Sequence, residues 1–406
     1  MSLSEVFCGI DVHKDLLVAT VLSSQLKETK RFVNDQNDIN NLKSWLKTHE
    51  CKRAAMESTG IYWILLYLAL EESGFDVMLA NAHQVKAIPG RKTDQSSSEW
   101  LAHLLRGGLI KPSYVPEKRV RELRELTRLR VKLVENRTAF KNRVQKVLNR
   151  VNIRLGSRLS DVFGKAGREI LEGLMAGKSV EAILEQTQNR WMKNRCDEIK
   201  AVAKGALSDN DIFVLKQLTE MVNHLSGQIR EVEARIEVLV NQRDVEIVSS
   251  VPGVGKRSAA AIVAEIGNVK RFADCKKIAS WCGLAPSVYQ SAGTFITGSI
   301  TKMGSKWLRR VMVEVAHSAV MVRDSKLRLF YLRVKDRKGA KTAIVAVARK
   351  MLSIIWHLLV NGEVYVEVGF EKSLKIEKKA YGGRIPLAEM ASVLRAAGYI
   401  VSGPSG

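Results

Sequence analysis

The apolar positions of this chain change their period several times, and each change marks a different kind of element. Val6–Val12 is a short apolar run of strand length, and Leu16–Leu22 is a second one after a tight His13-Lys14-Asp15 turn. Phe32-Val33 suggests a third strand. A helix is predicted over Ile39–His49, a strand over Arg53–Glu57, a helix over Tyr62–Ser73, a strand over Asp76–Ala80 and a helix over Ser96–Arg106. A leading hairpin followed by alternating helices and strands implies a mixed sheet with helices on its faces.

From Glu117 the period lengthens. Leu126, Leu129, Leu133, Phe140, Val144, Val147, Val151 and Leu155 recur at spacings of three, four or seven, and Arg and Lys crowd the remaining faces. This predicts one long amphipathic helix with a basic back. After a mixed stretch over 156–210, Leu218, Val222, Leu225, Ile229, Val232, Ile236 and Leu239 repeat in a strict 4-3-4-3 order, the signature of a coiled-coil seam. Two partners could fill it: another helix of the same chain, or a second copy, and the reading favours the second copy. A glycine-punctuated region then leads into three helices ending near Gly362. The expected divisions are an α/β domain over 1–112, a helical and coiled-coil region over 113–245, a mostly α-helical domain over 246–362 and a tail over 363–406. No internal repeat stands out.

Charge adds a partner to this outline. The 406 residues carry a net charge of +23 and a pI near 9.8, with 46% apolar content. A folded protein this basic usually meets a polyanion, most often nucleic acid. Residues 1–100 hold 11 Lys and Arg against 13 Asp and Glu, a net of −2, which leaves +25 for the rest. The basic binding surface is therefore expected beyond residue 100. The five cysteines (Cys8, Cys51, Cys196, Cys275, Cys282) form no CxxC pair or ligand spacing, which argues against zinc or a disulfide framework and suits a reducing cytoplasm. The N-terminal residues do not resemble a signal peptide. The most apolar stretch, Ala343–Val360, is interrupted by Arg349, Lys350 and His357, so it reads as a buried helix and no membrane partner is expected.

Five motifs carry candidate chemistry. Gly9-Ile10-Asp11-Val12-His13 ends an apolar first strand on an aspartate, a poor choice for packing alone. Met56-Glu57-Ser58-Thr59-Gly60 ends the fourth strand on a glutamate, and Gly90-Arg91-Lys92-Thr93-Asp94 places an aspartate just before a helix. This element order is that of RNase H-like domains, in which such acids converge. Three carboxylates at strand ends suit two Mg²⁺ ions, which activate an attacking oxygen and stabilise a leaving one in phosphodiester transfer. His13 and Lys14 read as turn and surface groups. In the fourth motif, Pro252-Gly253-Val254-Gly255-Lys256-Arg257 forms a turn between helices that offers backbone N–H groups and a cation to phosphate, in the helix-hairpin-helix manner. It lacks the spacing of an ATPase phosphate loop. The fifth, Gln290-Ser291-Ala292-Gly293, reads alone as a small-residue turn, followed by the basic run Lys302-Met303-Gly304-Ser305-Lys306-Trp307-Leu308-Arg309-Arg310.

Together these segments resemble the insertion-sequence 110 family of transposases, which are similar to the Piv DNA invertases. The resemblance rests on GIDVHKD, MESTGIYW, NAHQVKAIPGRKTD, EWLAHLLRGGLIKPSYVP, VPGVG, RFADCKKIASWCGLAP and ITKMGSKWLRR, in order over roughly residues 6–362. It implies an RNase H-like (RuvC-like) domain with a DEDD acidic set, a coiled coil, and a C-terminal transposase domain with a catalytic serine. Carried onto this chain, the acids are Asp11, Glu57 and Asp94, and the serine is Ser291. The family has a second aspartate three residues beyond the first of its last pair, where this chain has Ser97. Three readings follow: Asp94 suffices, Glu99 substitutes, or the chain is catalytically impaired and only binds nucleic acid.

The resemblance further implies a serine recombinase that excises and inserts a mobile element, holding Mg²⁺ and guided by a structured noncoding bridge RNA. Its partners would be double-stranded donor and target DNA, the guide RNA, and further copies of the chain in a dimer or tetramer. It would work in the prokaryotic cytoplasm at the nucleoid. Because the acids and Ser291 fall in different domains and a coiled coil could join copies, an active site shared between protomers is expected. The expected nucleic-acid contacts are Arg91, Lys92, Arg124, Arg128, Lys141, Gly253, Gly255, Lys256, Lys302, Lys306, Arg309 and Arg310. The rival enzymatic reading is an RNase H-like nuclease or junction resolvase, in which water attacks.

Overall fold

A computed structural model describes residues 5–57, 60–81, 85, 88, 97–291 and 294–367 of the chain, with the side chains of 289–297 outside that description. The chain divides into two compact units, 1–116 and 117–406.

The first unit is built on five strands: β1 (Phe7–Val12), β2 (Leu16–Leu22), β3 (Lys27–Val33), β4 (Arg53–Glu57) and β5 (Asp76–Ala80), in the spatial order β3-β2-β1-β4-β5. β1, β2 and β3 are joined antiparallel, while β1, β4 and β5 run parallel. β3 is longer than Phe32-Val33 suggested. It lies at the sheet edge, and only Phe32 of its seven residues is buried, so it carries no apolar alternation to betray it. Helices α1 (Gln36–Thr48) and α2 (Trp63–Glu72) cover one face, packing Ile39, Leu42, Leu46, Leu66 and Leu70 against Cys8, Ile10, Ala19 and Met56. Asp35 caps α1 by accepting from the Asp38 N–H.

Helix α3 (Ser97–Arg106) covers the other face with Leu101, Leu104 and Leu105 against Phe7, Ala55 and Ala80. Gly9 makes this contact possible. A Cβ there would sit 2.0 Å from the Ser98 carbonyl oxygen and 2.4 Å from the Ala102 nitrogen. The buried Thr20 hydroxyl, beside Gly9, meets the Ser98 hydroxyl at 2.8 Å.

The second unit begins with a hairpin of two long helices, α4 (Lys118–Arg150) and α9 (Asp209–Leu239). They run antiparallel: Arg119 Nε donates to the Leu239 carbonyl at 2.8 Å, Arg130 pairs with Glu233 at 2.7 Å, and Arg150 pairs with Asp211. Val222, Leu225, Ile229, Val232 and Ile236 are all buried within the chain. The expected self-association through this seam is therefore corrected, because the chain's own α4 fills the heptad pattern.

At one end of the hairpin, four helices, α5 (Lys165–Met175), α6 (Val180–Gln186), α7 (Arg190–Lys193) and α8 (Cys196–Val202), close a core with Val144, Leu148, Leu215 and Val222. At the other end, Leu123, Val232 and Ile236 enter a core shared with α10 (Gln242–Ser249), α11 (Lys256–Ile266), α12 (Cys275–Trp281), α13 (Lys306–Ala319), α14 (Lys326–Lys338) and α15 (Ala340–Asn361). A two-stranded hairpin, β6 (Pro286–Ser291) and β7 (Thr294–Ile300), lies between α12 and α13. α15 is long and apolar enough to cross a bilayer, but Val347, Ala348, Met351, Leu352 and Ile355 are fully buried in this core. It ends on Gly362 in the left-handed conformation (φ 72°).

Candidate active site

The parallel register of β1 and β4 pairs Gly9 with Ala55 and Ile10 with Met56, and continuing it sets Asp11 beside Glu57. Residues paired in register point to the same face, about 4.8 Å apart across the ladder. Here it is the face covered by α3, as the odd-numbered Phe7 and Gly9 show. α3 lies with its last residue near the start of β1, since Arg106 donates to the carbonyl of Ser23 next to β2's end. Its N-terminus therefore looks toward the end of the sheet that bears Asp11 and Glu57. The positive end of a ten-residue helix and two carboxylates thus share one end of the fold.

Asp11 is one-quarter exposed, and its Oδ2 lies 3.3 Å from Nε2 of His13. Asp94, Arg91 and Lys92 fall outside the described residues. Ser97, at the family's fourth acidic position, is the first residue of α3. Glu99, the alternative acid, is paired in this structure. Its carboxylate pairs with Lys27 Nζ at 2.6 Å and lies 3.8 Å from His103 Nε2. Among the described residues no three His, Cys, Asp or Glu groups gather into a metal site. The pair Asp11 and Glu57 nevertheless suits Mg²⁺, which takes hard oxygens and commonly uses only one or two carboxylates alongside substrate phosphate.

Ser291 is the last residue of β6, opposite Thr294 of β7. The segment is therefore a hairpin with the serine at its tip, not the simple small-residue turn read from Gln290–Gly293. Its flank Val288 is 55% exposed.

The expected basic contacts divide into two groups. Arg124 donates to the carbonyls of Ala264 and Glu265 at 2.8 and 2.6 Å. Arg128 forms a two-pronged pair with Glu265 at 2.7 and 3.0 Å, and Glu265 also accepts from the Ser305 hydroxyl at 3.0 Å. Arg309 holds the carbonyls of Cys282 and Lys302. Arg310 pairs with Glu314 and Glu135, which raises its pKa, and hydrogen bonds from Lys132 and then Arg310 lower that of Glu135. Lys141 lies 3.9 Å from Asp161 and over the ring of Phe163. All five of these side chains have partners within the chain.

Lys256, Lys302 and Lys306 are exposed, and Lys306 borders the Trp307 ring with Arg128 and Lys132. Gly253 (φ +83°) packs so tightly that a Cβ would lie 2.3 Å from the Ala319 nitrogen, whereas nothing approaches Gly255 at the start of α11. Gly255 and Lys256 are thus open to solvent, while Gly253 is closed by packing. Sequence reasoning did not find Glu265; its signal was an acid deep in an Ala-rich helix, which needs a cation partner.

The strand order and pairing give the first unit the mixed-sheet topology of an RNase H-like fold, and the second unit is mostly helical. Two family models match: a transposase model (DEDD_Tnp_IS110) over residues 8–153, and the "Transposase IS116/IS110/IS902 family" over residues 245–332. The chain belongs to this family of transposases. A "Probable family 20 transposase" of Pseudomonas aeruginosa is 27% identical, covering 77% of this chain and 85% of its own. The "Transposase for insertion sequence element IS1111A" of Coxiella burnetii is 23% identical, covering 75% and 76%. A "Pilin gene-inverting protein" of Moraxella bovis is 22% identical, covering 88% and 96%.

Proposed function

We propose that this transposase recombines DNA by serine attack, with Asp11, Glu57 and Asp94 forming the acidic site and Ser291 supplying the nucleophile. The observation that carries the reading is the parallel β1–β4 ladder, paired as far as Ile10 and Met56, whose next residues are Asp11 and Glu57. The exposed flank of the Ser291 hairpin supports it, since a nucleophile at a strand tip can reach a bulky duplex.

When bound, Mg²⁺ would supply charge neutralisation at the scissile phosphate. Asp11 and Glu57 would hold it through hard carboxylate oxygens. Ser291 Oγ attacks phosphorus and gives up its proton to solvent, the Oγ–P bond forms as the P–O3′ bond breaks, and the released 3′-oxygen takes up a proton in its place. The phosphoserine conserves the ester bond, so a 3′-hydroxyl from a new partner strand can reverse the attack without an external energy source. Lys256, Lys302 and Lys306 would contact phosphates and position the strands without reading their sequence. Sequence choice would then come from pairing with a structured noncoding guide RNA.

Asp11 and Ser291 lie in different units, and a site shared between protomers remains part of the proposal. The filled α4–α9 seam means that protomers would pair through other surfaces. The test uses DNA carrying the ends of the encoding element, with its RNA, in Mg²⁺. Ser291→Ala and Asp11→Asn proteins should each be inactive, and mixing them in an exchanging assembly should restore recombination. Activity of Ser291→Ala alone would refute the serine assignment, and failure of the mixture would refute the shared site.

A further inference from the structure

We propose that Arg309 is a positioning residue for Ser291: it ties together the two roots of the β6–β7 hairpin and so fixes where the tip that carries the serine lies. The inference rests on the serine reading above. β6 and β7 pair with each other as a two-stranded sheet, and such a hairpin is only marginally ordered by itself. From Pro286 to Ser291 the strand takes five steps of about 3.4 Å, or about 17 Å. Over that lever a tilt of about 3° at the root moves the tip by about 1 Å, and a misplacement of about 1 Å can slow a reaction about 100-fold. The placement of Ser291 is therefore decided at the root.

The root is gathered around one guanidinium. Arg309 lies near the start of α13, and its Nη1 donates to the Cys282 carbonyl at 3.1 Å, on the chain entering the hairpin, and to the Lys302 carbonyl at 2.9 Å, on the chain leaving it. One Nη1 carries two hydrogens, one for each carbonyl. Backbone rungs continue the tie: the Thr301 N–H donates to the Ala285 carbonyl at 3.0 Å and the Lys302 N–H to that of Gly283 at 3.3 Å.

Two backbone conformations at this root depend on the same contact. Lys302 is held at φ +56°, a left-handed conformation that a lysine seldom adopts unless its surroundings impose it. Gly283 (φ +72°) lets the guanidinium approach, since a Cβ there would lie 2.6 Å from Arg309 Nη1. Arg309 is partly buried with both hydrogen bonds directed inward, so it serves the hairpin and not a DNA phosphate.

The test uses the full chain with element-end DNA and its RNA in Mg²⁺. It reads the rate of covalent adduct formation at saturating DNA, the DNA affinity across a salt series, and hydrogen exchange. Arg309→Ala should slow adduct formation on the order of 100-fold with affinity and salt slope unchanged. Exchange should rise over β6 and β7 while α13 keeps its protection. Arg309→Lys, which keeps the charge but loses the planar fork, should recover part of the rate and remain about tenfold slow. An unchanged adduct rate in Arg309→Ala or, should that variant fail to fold, in Arg309→Lys overturns the proposal. It is overturned equally by a loss that follows weaker DNA binding with a salt slope reduced by about one, the mark of a phosphate contact. Loss of protection spreading through α13 would overturn it too, as the mark of a merely structural role. Adduct formation by Ser291→Ala would instead overturn the serine reading on which it stands.

Discussion

Replacing Arg128 by Ala separates two roles that a basic helix face can play. Its guanidinium makes two parallel hydrogen bonds to Glu265, whose side chain is 4% exposed against 38% for Arg128. Removing the cation leaves a buried carboxylate with the Ser305 hydroxyl among its remaining donors. Breaking a fully buried pair costs about 3–5 kcal/mol, and the partial exposure of Arg128 lowers this to roughly 2–4 kcal/mol. Hydrogen exchange over α11 and the first turn of α13 reads the loss locally and avoids assuming one cooperative transition for a two-unit chain. Protection there should fall on the order of 100-fold, and Arg128→Lys should fall less because it keeps the charge but loses the fork. A phosphate contact behaves differently. Stability would change by no more than about 0.5 kcal/mol, while the salt dependence of DNA binding would lose about one ion. Unchanged exchange in Arg128→Ala, with a reduced salt slope, would refute the clamp assignment.

Further consequences follow from other contacts. Lys306→Ala should leave stability unchanged and reduce the salt slope of DNA binding by about one, measured by fluorescence anisotropy across a salt series. Gly9→Ala drives a Cβ into α3's backbone, so it should destabilise the first unit by about 3 kcal/mol and expose the amides of Ser97–Arg106 to exchange. Burial raises the thiols of Cys8 and Cys282, the latter to about 12, and raises Cys51 to about 11, whereas Cys196 and Cys275 are partly exposed. Two thiols should therefore react with a disulfide reagent at pH 8 in the native protein, and five after denaturation. Asp211 is held below the usual carboxylate range by the Ser208 hydroxyl and N–H and by Arg150. Its contribution should be full above about pH 4 and lost as the pH falls below it, loosening the α4–α9 hairpin at that end, as read by exchange over 209–215; an Asp211→Asn protein should lack this acid step.

Much of the first unit was legible because its central strands are buried on both faces. β1, β2 and β4 appear as apolar runs, and β5 does so although it is an edge strand, because Leu79 and Ala80 are buried; all four have the expected bounds within a residue. β3 was mostly hidden, since an edge strand with Lys27, Glu28, Thr29, Lys30 and Arg31 outward looks like a loop. The β6–β7 hairpin was hidden by its many small residues, which signal a turn as readily as a strand. Heptads specify a seam but not whose helix fills it: Val222 to Ile236 satisfy the pattern equally against a second copy or α4. The individual roles of the basic residues were also beyond sequence. Arg128 and Lys306 look alike in the chain, and only the position of Glu265 separates a clamp from a free cation.

The structure sets Asp11 and Glu57 directly after the last paired residues of β1 and β4, and Ser291 at a strand tip. The most direct measurement of their joint role is to quench a reaction on end-labelled element DNA in Mg²⁺ with denaturant and map the protein-bound label by mass spectrometry. The account predicts a phosphodiester-linked nucleotide on Ser291, absent from Asp11→Asn and Ser291→Ala. Cleaved DNA with no covalent adduct, and cleavage that survives Ser291→Ala, would contradict it and make water the nucleophile.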